Sequence, residues 1–594
     1  MKKKFGVLIG IAFAFNSIGQ TKVNFTIDVS QGRKPISSNI YGTNTYKAIG
    51  ADTLNPTVSR FGGNRSSAYN WENNFSNAGS DYIFSSDDWW LDAIEINKNT
   101  WRTVSGSPVQ ALVDSANKAK RASMITLQAM GYVSADGNGA VACNAPCNRW
   151  IPAYANKPGG VYQYPPDKTD NAIYLDEEVS WLVKKYGKAS NGGVKYYQID
   201  NEPELWNSTH SKIKTKLVTP LELAQINETF GKMIRTLDPS SSILGFVSFG
   251  WYGLVTVDLK TYLREMKTRS TAFGSPLIDV FDWHFYPNDL LNYTGNNEWD
   301  LLQAPRILWD SKYFIQGGAG PMGYYGNAPQ LMRRYKGIIN TEFPGLKMGV
   351  TEWNSSYDET KVVSGLYVAD ILGVYGQEDI EVATYFTRPT AYAAAGFKLF
   401  RNYDGKNSTY GDTYVQANSS DVPNATVYAS TETKTNDDRL HIVAISKTMT
   451  GTTNGTFTVA GTKIYTKAEV YYFDPSSQKI KRGQDITGII GNTFQYNLPN
   501  HSAAHFVLTT STITGLEEEN FDNKVNIFPQ PFEKEFRIEA GKEFNVTIYS
   551  LEGEKISEGK YQNGSVLGHD LAKGTYLVKI ETDNQVYNKK VIKY

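Results

Sequence analysis

Short apolar runs alternate with helical patterns between residues 38 and 403. The helical stretches carry apolar side chains three and four positions apart and lie between most of the runs. The strand candidates are residues 38–44, 57–63, 123–130, 194–200, 242–248, 278–286, 347–353 and 381–387. The pattern predicts a (β/α)8 barrel, an α/β fold in which helices wrap a closed parallel sheet.

The clearest predicted helix covers residues 219–237. Thr219 suits the N-cap and Pro220 suits the first helical position. Apolar residues then follow at helical spacing: Leu223, Ile226, Phe230, Met233 and Leu237. Further helices are predicted near residues 108–121, 170–187, 255–268, 328–341, 361–376 and 391–402.

The longest insertions of the predicted barrel follow strands 2, 3 and 6. They span residues 64–107, 131–169 and 287–327, and they are rich in Trp, Tyr, Asn and Gly. Loops that follow barrel strands lie on the C-terminal face, where active sites of this fold are built. We therefore expect a site on this face, in an open cleft bounded by aromatic loops.

The rest of the chain predicts two further β domains. Residues 404–512 alternate Thr, Val and Tyr with polar positions and predict an accessory β-sandwich. Residues 20–37 show the same alternation and are predicted to add a strand to it. A linker at residues 513–521 leads to a small β domain at residues 522–594, and the barrel itself is assigned residues 38–403.

The first residues are typical of a signal peptide. Lys2, Lys3 and Lys4 precede an apolar stretch from Phe5 to Phe15, and a small-x-small site ends at Gly19. The alternative is a buried N-terminal helix. No other stretch reaches about 18 uninterrupted apolar residues, so we expect no integral membrane span and an exported protein.

Charge and composition narrow the partners. Sixty Lys and Arg balance sixty Asp and Glu, so we expect no nucleic acid partner. Aromatic residues make up 13% of the chain, a surplus that needs either extra core or an exposed surface for a ligand such as a sugar. The chain is expected to be a monomer.

Cys143 and Cys147 are the two cysteines of the chain. In an exported protein they are candidates for a disulfide that staples a short loop. A zinc site is less favoured, because the nearest histidine in sequence is His210.

Two carboxylates stand at the ends of predicted barrel strands. Glu202 ends strand 4 in QIDNEPELW, and Glu352 ends strand 7 in MGVTEWN. Paired carboxylates that flank a bond are what glycoside hydrolysis requires, one as acid and one as nucleophile or base. The alternative is that both are solvated acids in turns. Glu204, Glu342 and Glu359 are less favoured, because they follow Pro203 or lie on or beside helices.

At these residues the sequence resembles glycoside hydrolase family 44, the endo-β-1,4-glucanases and xyloglucanases. The resemblance covers about residues 38–509 and is carried by RFGGNRSSAYNWENNFSNAGSD, GYVSADGNG, YQIDNEPELWNSTH, DVFDWHFYP, GVTEWN and KLFRNYDGKNSTYGDT. It implies a retaining endo-glucanase acting on β-1,4-linked glucan, without a catalytic cofactor. Rival readings are a related retaining enzyme, such as a xylanase, mannanase or glucuronidase, and a non-catalytic carbohydrate-binding surface protein.

The resemblance also implies roles for single residues. Glu202 would be the acid/base and Glu352 the nucleophile. The other substrate-site residues it implies are Arg60 under the nucleophile, Asn201 at a sugar 2-hydroxyl, His284 and Tyr286 at the site, and Trp71, Trp206 and Trp353 as stacking platforms. A structural calcium is implied too, with Glu72, Asp114 and Asp176 as oxygen ligands.

The tail carries a second resemblance. VNIFPQPF, VTIYSLEGEKI, KGTYLVKI and KKVIKY resemble the C-terminal sorting domain of type IX secretion cargo. This implies the type IX machinery as a partner and delivery across the outer membrane, to the cell surface or the medium. The alternative is a small carbohydrate-binding module, although no tryptophan follows Trp353.

Overall fold

The computed structural model describes residues 20–44, 53–434, 439–510, 525–540, 543–551, 553–582 and 586–594. The chain forms two compact units that divide after Thr510. The predicted signal peptide and the predicted linker lie outside the described residues.

Eight parallel strands close into a barrel, which confirms the predicted fold class. In chain order, barrel strands 1 to 8 are Gly42–Thr43, Val58–Phe61, Ala122–Leu127, Tyr196–Ile199, Ser242–Ser248, Val280–Phe285, Lys347–Trp353 and Val382–Tyr385. Each strand neighbours the next one, and strand 8 closes on strand 1. All eight predicted strands are therefore present in the predicted order.

The barrel interior changes from apolar to polar along the strands. One buried cluster takes a single side chain from each of six strands: Val58, Met124, Tyr196, Leu244, Val280 and Val382. Two residues further on, the side chains of the same face include Arg60, Gln198 and Asp282, all fully buried. Because successive residues of a strand point to opposite faces, this i, i+2 spacing stacks a polar layer on the apolar one, toward the C-terminal face.

Long helices follow barrel strands 2 to 8: Ser107–Lys118, Leu175–Tyr186, Pro220–Leu237, Leu259–Phe273, Leu331–Glu342, Val362–Gln377 and Ala391–Arg401. The Thr219 side chain accepts a hydrogen bond from Glu222 N, as its N-cap role predicts. Shorter helices are Trp89–Ala93, Lys98–Trp101, Trp206–Thr209, Trp251–Thr256, Asn297–Gln303 and Gly320–Tyr325.

Two small sheets shape the insertions after strands 2 and 3. One contains Ser76–Asn77, Ser85–Asp87 and Gly139–Ala140, and the other contains Tyr132–Ser134, Trp150–Tyr154 and Ile173–Tyr174. A disulfide joins Cys143 to Cys147 in the second insertion.

A ten-stranded sheet forms the accessory β domain. Its strands are Gln20–Asp28, Lys34–Pro35, Thr413–Ser419, Ala425–Thr431, Leu440–Ser446, Thr452–Ala460, Tyr465–Asp474, Ser477–Arg482, Thr493–Pro499 and Ser502–Thr510. The sheet folds over into two layers that share a core, because Phe457 and Phe506 belong to strands far apart in the sheet order yet have ring centroids 5.0 Å apart. The earliest strand, Gln20–Asp28, runs parallel to Thr452–Ala460.

The barrel and the sandwich are joined through the helix Val362–Gln377, which is buried along nearly its whole length. Asp370 of this helix pairs with Lys447 of the sandwich at 2.5 Å, and both side chains are almost completely buried. The hydroxyls of Thr426 and Tyr428 also donate to Asp370. The interface between the barrel and the sandwich therefore contains a buried ion pair, and the Asp370 carboxylate has three partners in it.

The C-terminal unit consists of two antiparallel sheets. One contains Asn526–Phe528, Phe536–Glu539 and Ser565–Leu567, and the other contains Phe544–Ser550, Lys555–Tyr561, Gly574–Glu581 and Val586–Lys593. Its own core includes Phe532, Phe536, Ile548, Val578 and Val591. Across the described parts of both units, none of the helices has the length and apolar character needed to cross a membrane.

Candidate active site

Glu202 lies in a tight turn just beyond barrel strand 4. Asp200 and Glu202 both have left-handed backbone conformations, with φ of 60° and 46°. Glu202 N donates to Val247 O at 2.8 Å, and Asp200 Oδ2 accepts from Ala129 N at 2.6 Å, so strands 3 and 5 hold the turn from both sides. The turn leaves the Glu202 side chain 17% exposed at the mouth of the barrel.

Glu352 belongs to barrel strand 7 and is more deeply buried, with 6% of its side chain exposed. Arg60 Nη1 donates to Glu352 Oε1 at 2.7 Å, and Tyr286 OH donates to Oε2 at 2.9 Å. Both carboxylate oxygens of Glu352 are thus held by fixed donors.

His284 lies between the two carboxylates. Its Nδ1 is 2.6 Å from Glu202 Oε1 and 3.5 Å from Glu352 Oε2. One ligand atom of each of the three residues lies within 4.8 Å of the other two. The predicted pair of acids therefore meets at the C-terminal face, with an imidazole shared between them.

Opposing effects set the charge state of Glu352. Burial acts to raise the pKa of its carboxyl, but the charges of His284 and Arg60 and the hydrogen bonds from Arg60 and Tyr286 outweigh burial. The net result is a pKa of Glu352 below its ordinary value. Burial likewise opposes the charged form of His284, yet the nearby charges of Glu352 and Glu202 raise the pKa of His284.

A buried polar network supports this trio. Arg60 also donates to Gln198 at 2.7 Å, Asn44 at 2.9 Å and Asn201 at 2.8 Å. Gln198 Nε2 in turn donates to Asp282 Oδ2 at 3.0 Å and to Thr351 Oγ1 at 2.9 Å, and Thr351 Oγ1 donates to Asp282. Four residues of this network were not predicted from the sequence: Asn44, Gln198, Asp282 and Thr351. The i, i+2 spacing of Asp282, His284 and Tyr286 nevertheless indicates one inward face of strand 6.

In the described part of the chain, only one of the two polar atoms of the Asn201 side chain is hydrogen bonded. Its Oδ1 accepts from Arg60, whereas its buried Nδ2 has no hydrogen-bond partner among the described residues. A donor thus remains beside Glu202.

The prediction that three tryptophans act as stacking platforms is wrong, because all three are buried. Trp71, Trp206 and Trp353 expose 0%, 2% and 0% of their surface, so none offers a ring face to a ligand. Trp71 stacks on Trp181, and Trp353 packs edge-on against Tyr375 and Tyr385. Trp206 donates to Asn201 O at 3.1 Å, which makes it a support of the turn that carries Glu202.

The less favoured carboxylates have other partners. Glu204 is buried behind the turn and accepts from Ser248 Oγ and Phe249 N. Glu359 accepts from Thr390 N at 2.7 Å, and Glu342 pairs with Arg264 on the helical surface.

Two of the three predicted calcium ligands lie among buried carboxylates. Glu72 Oε1, Asp176 Oδ1 and both carboxylate oxygens of Glu178 are buried without a hydrogen-bond partner in the described chain. Burial raises the pKa of Glu72 to about 8, helped by neighbouring acids, and burial raises the pKa of Glu178 to about 8, helped by Glu72. Asp114 is instead exposed and accepts from Tyr186 OH at 2.8 Å, so the structure removes it from the predicted ligand set.

This donor chemistry fits a hard cation, because uncompensated carboxylate oxygens are what calcium prefers. Glu178 is the ligand candidate that the sequence analysis missed. Within the described ranges, only Glu202, His284 and Glu352 bring three ligand atoms within 4.8 Å of one another, so Glu72, Asp176 and Glu178 would have to turn toward an ion.

Both units of the chain match models of known protein families. The model of glycoside hydrolase family 44 matches residues 75–289, and that of a secretion system C-terminal sorting domain matches residues 526–594. The chain is 35% identical over 518 residues to an endoglucanase A of Paenibacillus lautus, covering 82% of this chain and 72% of that protein.

Two further relatives extend the comparison. A β-mannanase/endoglucanase A of Caldicellulosiruptor saccharolyticus is 35% identical over 524 residues, but this chain spans only 39% of its length. The structure of a Paenibacillus polymyxa family 44 xyloglucanase with xyloglucan superposes with a TM-score of 0.77 at 35% identity, covering 82% of this chain and all of that one.

Proposed function

The chain belongs to glycoside hydrolase family 44, and from that premise we propose that it cleaves β-1,4-glucan chains internally with retention of anomeric configuration. The observation that carries the proposal is the pair of carboxylates, Glu202 and Glu352, with ligand atoms within 4.8 Å of each other across His284. Retaining enzymes place their carboxyl groups about 5 to 5.5 Å apart, whereas inverting enzymes leave about 6.5 to 9.5 Å for a water.

In the first step Glu352 attacks the anomeric carbon while Glu202 gives its proton to the leaving oxygen. Glu352 suits the attack because Arg60 and His284 favour its ionised form. Glu202 Oε1 is occupied by His284, which leaves Oε2 to carry the proton. In the second step Glu202 takes a proton from water, and that water releases the sugar from Glu352.

Asn201 and Tyr286 complete the assignment. The unpaired Nδ2 of Asn201 is positioned to donate to the sugar 2-hydroxyl, a contact that strengthens in the transition state of such enzymes. Tyr286 keeps its proton, since burial raises the pKa of its phenol well above the ordinary value, and it steadies the nucleophile.

The role of each acid is tested by substitution. Glu352→Gln should abolish turnover on every substrate while the protein stays folded. Glu202→Ala should stop polymer cleavage but leave activated aryl glycosides partly cleavable, because a good leaving group needs no proton. Identical behaviour of the two variants on every substrate would refute this division of roles.

Substrate preference and stereochemistry need separate measurements. Proton NMR of the first product should show the β-anomer. The preference is measured on carboxymethyl cellulose, xyloglucan, mixed-linkage glucan, glucomannan, mannan and xylan. Mannan is included because one relative is named a β-mannanase as well as an endoglucanase. A wild-type protein active only on xylan would overturn the glucanase assignment.

We also propose that residues 522–594 direct type IX secretion across the outer membrane. The sorting-domain match and the separate core of this unit support the proposal. Deleting residues 522–594 should leave hydrolysis unchanged and stop delivery to the surface or the medium. Normal delivery combined with weaker binding to insoluble glucan would instead indicate a carbohydrate-binding module.

Finally, we propose that Glu72, Asp176 and Glu178 hold a structural calcium ion. The uncompensated buried oxygens of these residues support it. Isothermal titration calorimetry with Ca²⁺, on protein freed of metal by a chelator, should show one binding site. Glu178→Gln should weaken Ca²⁺ binding, whereas Asp114→Asn should not.

A further inference from the structure

Four aromatic rings form a cluster on the C-terminal face of the barrel, outside the residues assigned a role above. Trp251 and Tyr252 begin the short helix after barrel strand 5, and Tyr324 and Tyr325 end a helix in the insertion after strand 6. The ring centroids of Trp251 lie 5.5 Å from Tyr252 and 5.7 Å from Tyr324. Two loops far apart in sequence thus build one aromatic surface.

The cluster exposes its rings to water. Tyr252 and Tyr324 each have 54% of their surface exposed, and Trp251 is half-buried. Tyr325 lies behind them, with the Arg334 guanidinium 4.0 Å from its ring centroid. Clustered exposed aromatic rings at a barrel mouth are typical of a ligand surface rather than of core packing.

The surface is also held in place. Trp251 Nε1 donates to Asp289 Oδ2 at 2.7 Å, and Gly320 packs so closely on Asp289 that an added Cβ would lie 2.7 Å from the Asp289 Cβ. Asp289 is only three residues beyond Tyr286, which contacts the nucleophile. A preformed surface loses little conformational entropy when it binds a ligand.

The strand order gives the direction of the cleft. In the closed barrel, strands 2 and 6 lie opposite each other, and a line between them separates strand 4, which carries Glu202, from strand 7, which carries Glu352. At the strand 2 end, the insertion exposes 40% of Trp89, and the Arg65 guanidinium lies 5.2 Å from that ring. A polysaccharide laid along this line passes between the two acids and meets aromatic rings at both ends.

We propose that Trp251, Tyr252 and Tyr324 form a platform that binds the leaving-group half of the glucan chain. The inference rests on the proposed glucanase function. The turn that carries the proton donor Glu202 is bonded to strand 5 through Val247 O, and strand 5 leads directly into Trp251. Sugar rings stack their apolar C–H faces on aromatic rings, and the sugar that receives the proton from Glu202 lies nearest this loop.

The test compares two kinds of substrate. The double variant Tyr252→Ala/Tyr324→Ala should lower kcat/KM on soluble xyloglucan and mixed-linkage glucan about tenfold. On a chloronitrophenyl cello-oligosaccharide, whose leaving group is not a sugar, kcat/KM should stay within about twofold of the wild type. The double variant Tyr252→Phe/Tyr324→Phe keeps the rings and should recover most of the polymer activity.

Phe273→Ala serves as a matched control. Phe273 is a 39% exposed aromatic residue at the C-terminus of its helix, which points away from the mouth, so its loss should change neither substrate. Unchanged polymer activity of the tyrosine-to-alanine variant would overturn the platform. An equal loss on both substrates would place the rings on the wrong side of the scissile bond and also overturn it. A wild-type protein inactive on all glucans would instead refute the underlying function.

Discussion

Arg60→Met should move the acidic limb of the kcat/KM–pH profile to higher pH. Arg60 is fully buried and supplies one of the two positive charges near Glu352, the other being His284. A neighbouring arginine typically lowers a carboxyl pKa by about 1 to 3 units. Since His284 remains, we expect the limb of kcat/KM to move up by about 1 to 2 pH units.

The same change should cost stability. Arg60 makes four hydrogen bonds, and its loss removes the donor to Glu352 Oε1, Asn44 Oδ1 and Asn201 Oδ1, while Gln198 Oε1 keeps a bond from Thr126. Breaking a buried charged network of this kind costs about 3 to 5 kcal/mol. Because folding lowers the pKa of Glu352, its ionised carboxylate also stabilises the folded state. This stabilisation is present above the pKa of Glu352 in the unfolded chain and is lost as the pH falls through its pKa in the folded protein. Arg60→Met removes much of it.

The assay is kcat/KM against pH on an aryl cello-oligosaccharide, with the unfolding midpoint measured on the same samples. Arg60→Lys keeps the charge but cannot reach all four acceptors, so turnover should fall while the limb moves little. Arg65→Met is the control, because Arg65 pairs with Asp87 in the same segment but not with the acids. An acidic limb that stays in place in a folded Arg60→Met protein would refute the electrostatic reasoning.

Three further predictions rest on other contacts of the molecule. Lys447→Met should lower the free energy of unfolding by about 3 to 5 kcal/mol, since it leaves the buried Asp370 unpaired, and adding Asp370→Asn should recover part of the loss in urea titrations. The pKa values of Glu72 and Glu178 are raised to about 8 in the folded protein, so the calcium-free protein should lose stability as the pH rises from about 4.5 toward 8. Ca²⁺ should therefore raise Tm more at pH 8 than at pH 5.5. Equal increases in Tm at the two pH values would contradict this. Tyr286→Phe removes one hydrogen bond to Glu352 but no charge, so the acidic limb of its kcat/KM profile should rise by less than that of Arg60→Met.

The barrel could be predicted from the sequence because the residues that begin its helices and end its strands act locally. Thr219 and Pro220 begin a helix through their own backbone preferences, and strand ends place Glu202 and Glu352 on one face once the fold is recognised. The outward position of Trp353 was not predictable from alternation along strand 7. The pairing of strands 7 and 8 shifts register between Val350 and Trp353. Thr351 and Glu352 therefore both reach the buried polar network, while Trp353 packs against Tyr375 and Tyr385.

Other features depend on pairings that the sequence does not encode locally. Trp251 and Tyr324 are 73 positions apart and lie in irregular insertions, so no periodicity brings them together. The grouping of Glu72 with Glu178, and the exclusion of Asp114, likewise depends on how an insertion packs against a helix N-terminus. Such contacts arise from tertiary packing, which residue spacing alone cannot predict.

The parallel pairing of Gln20–Asp28 with Thr452–Ala460 has a consequence for how the protein folds. The first of these strands is made early, yet its partner emerges only after the whole barrel has been synthesised. Loop closure over such a span costs little extra equilibrium stability, because the entropy grows only with the logarithm of length. Its effect is kinetic, since contacts of high sequence separation form late and slowly. The first strand therefore has no partner until its two neighbours, Thr413–Ser419 and Thr452–Ala460, have been made. Substitutions that delay barrel folding should first appear as aggregation through this exposed edge.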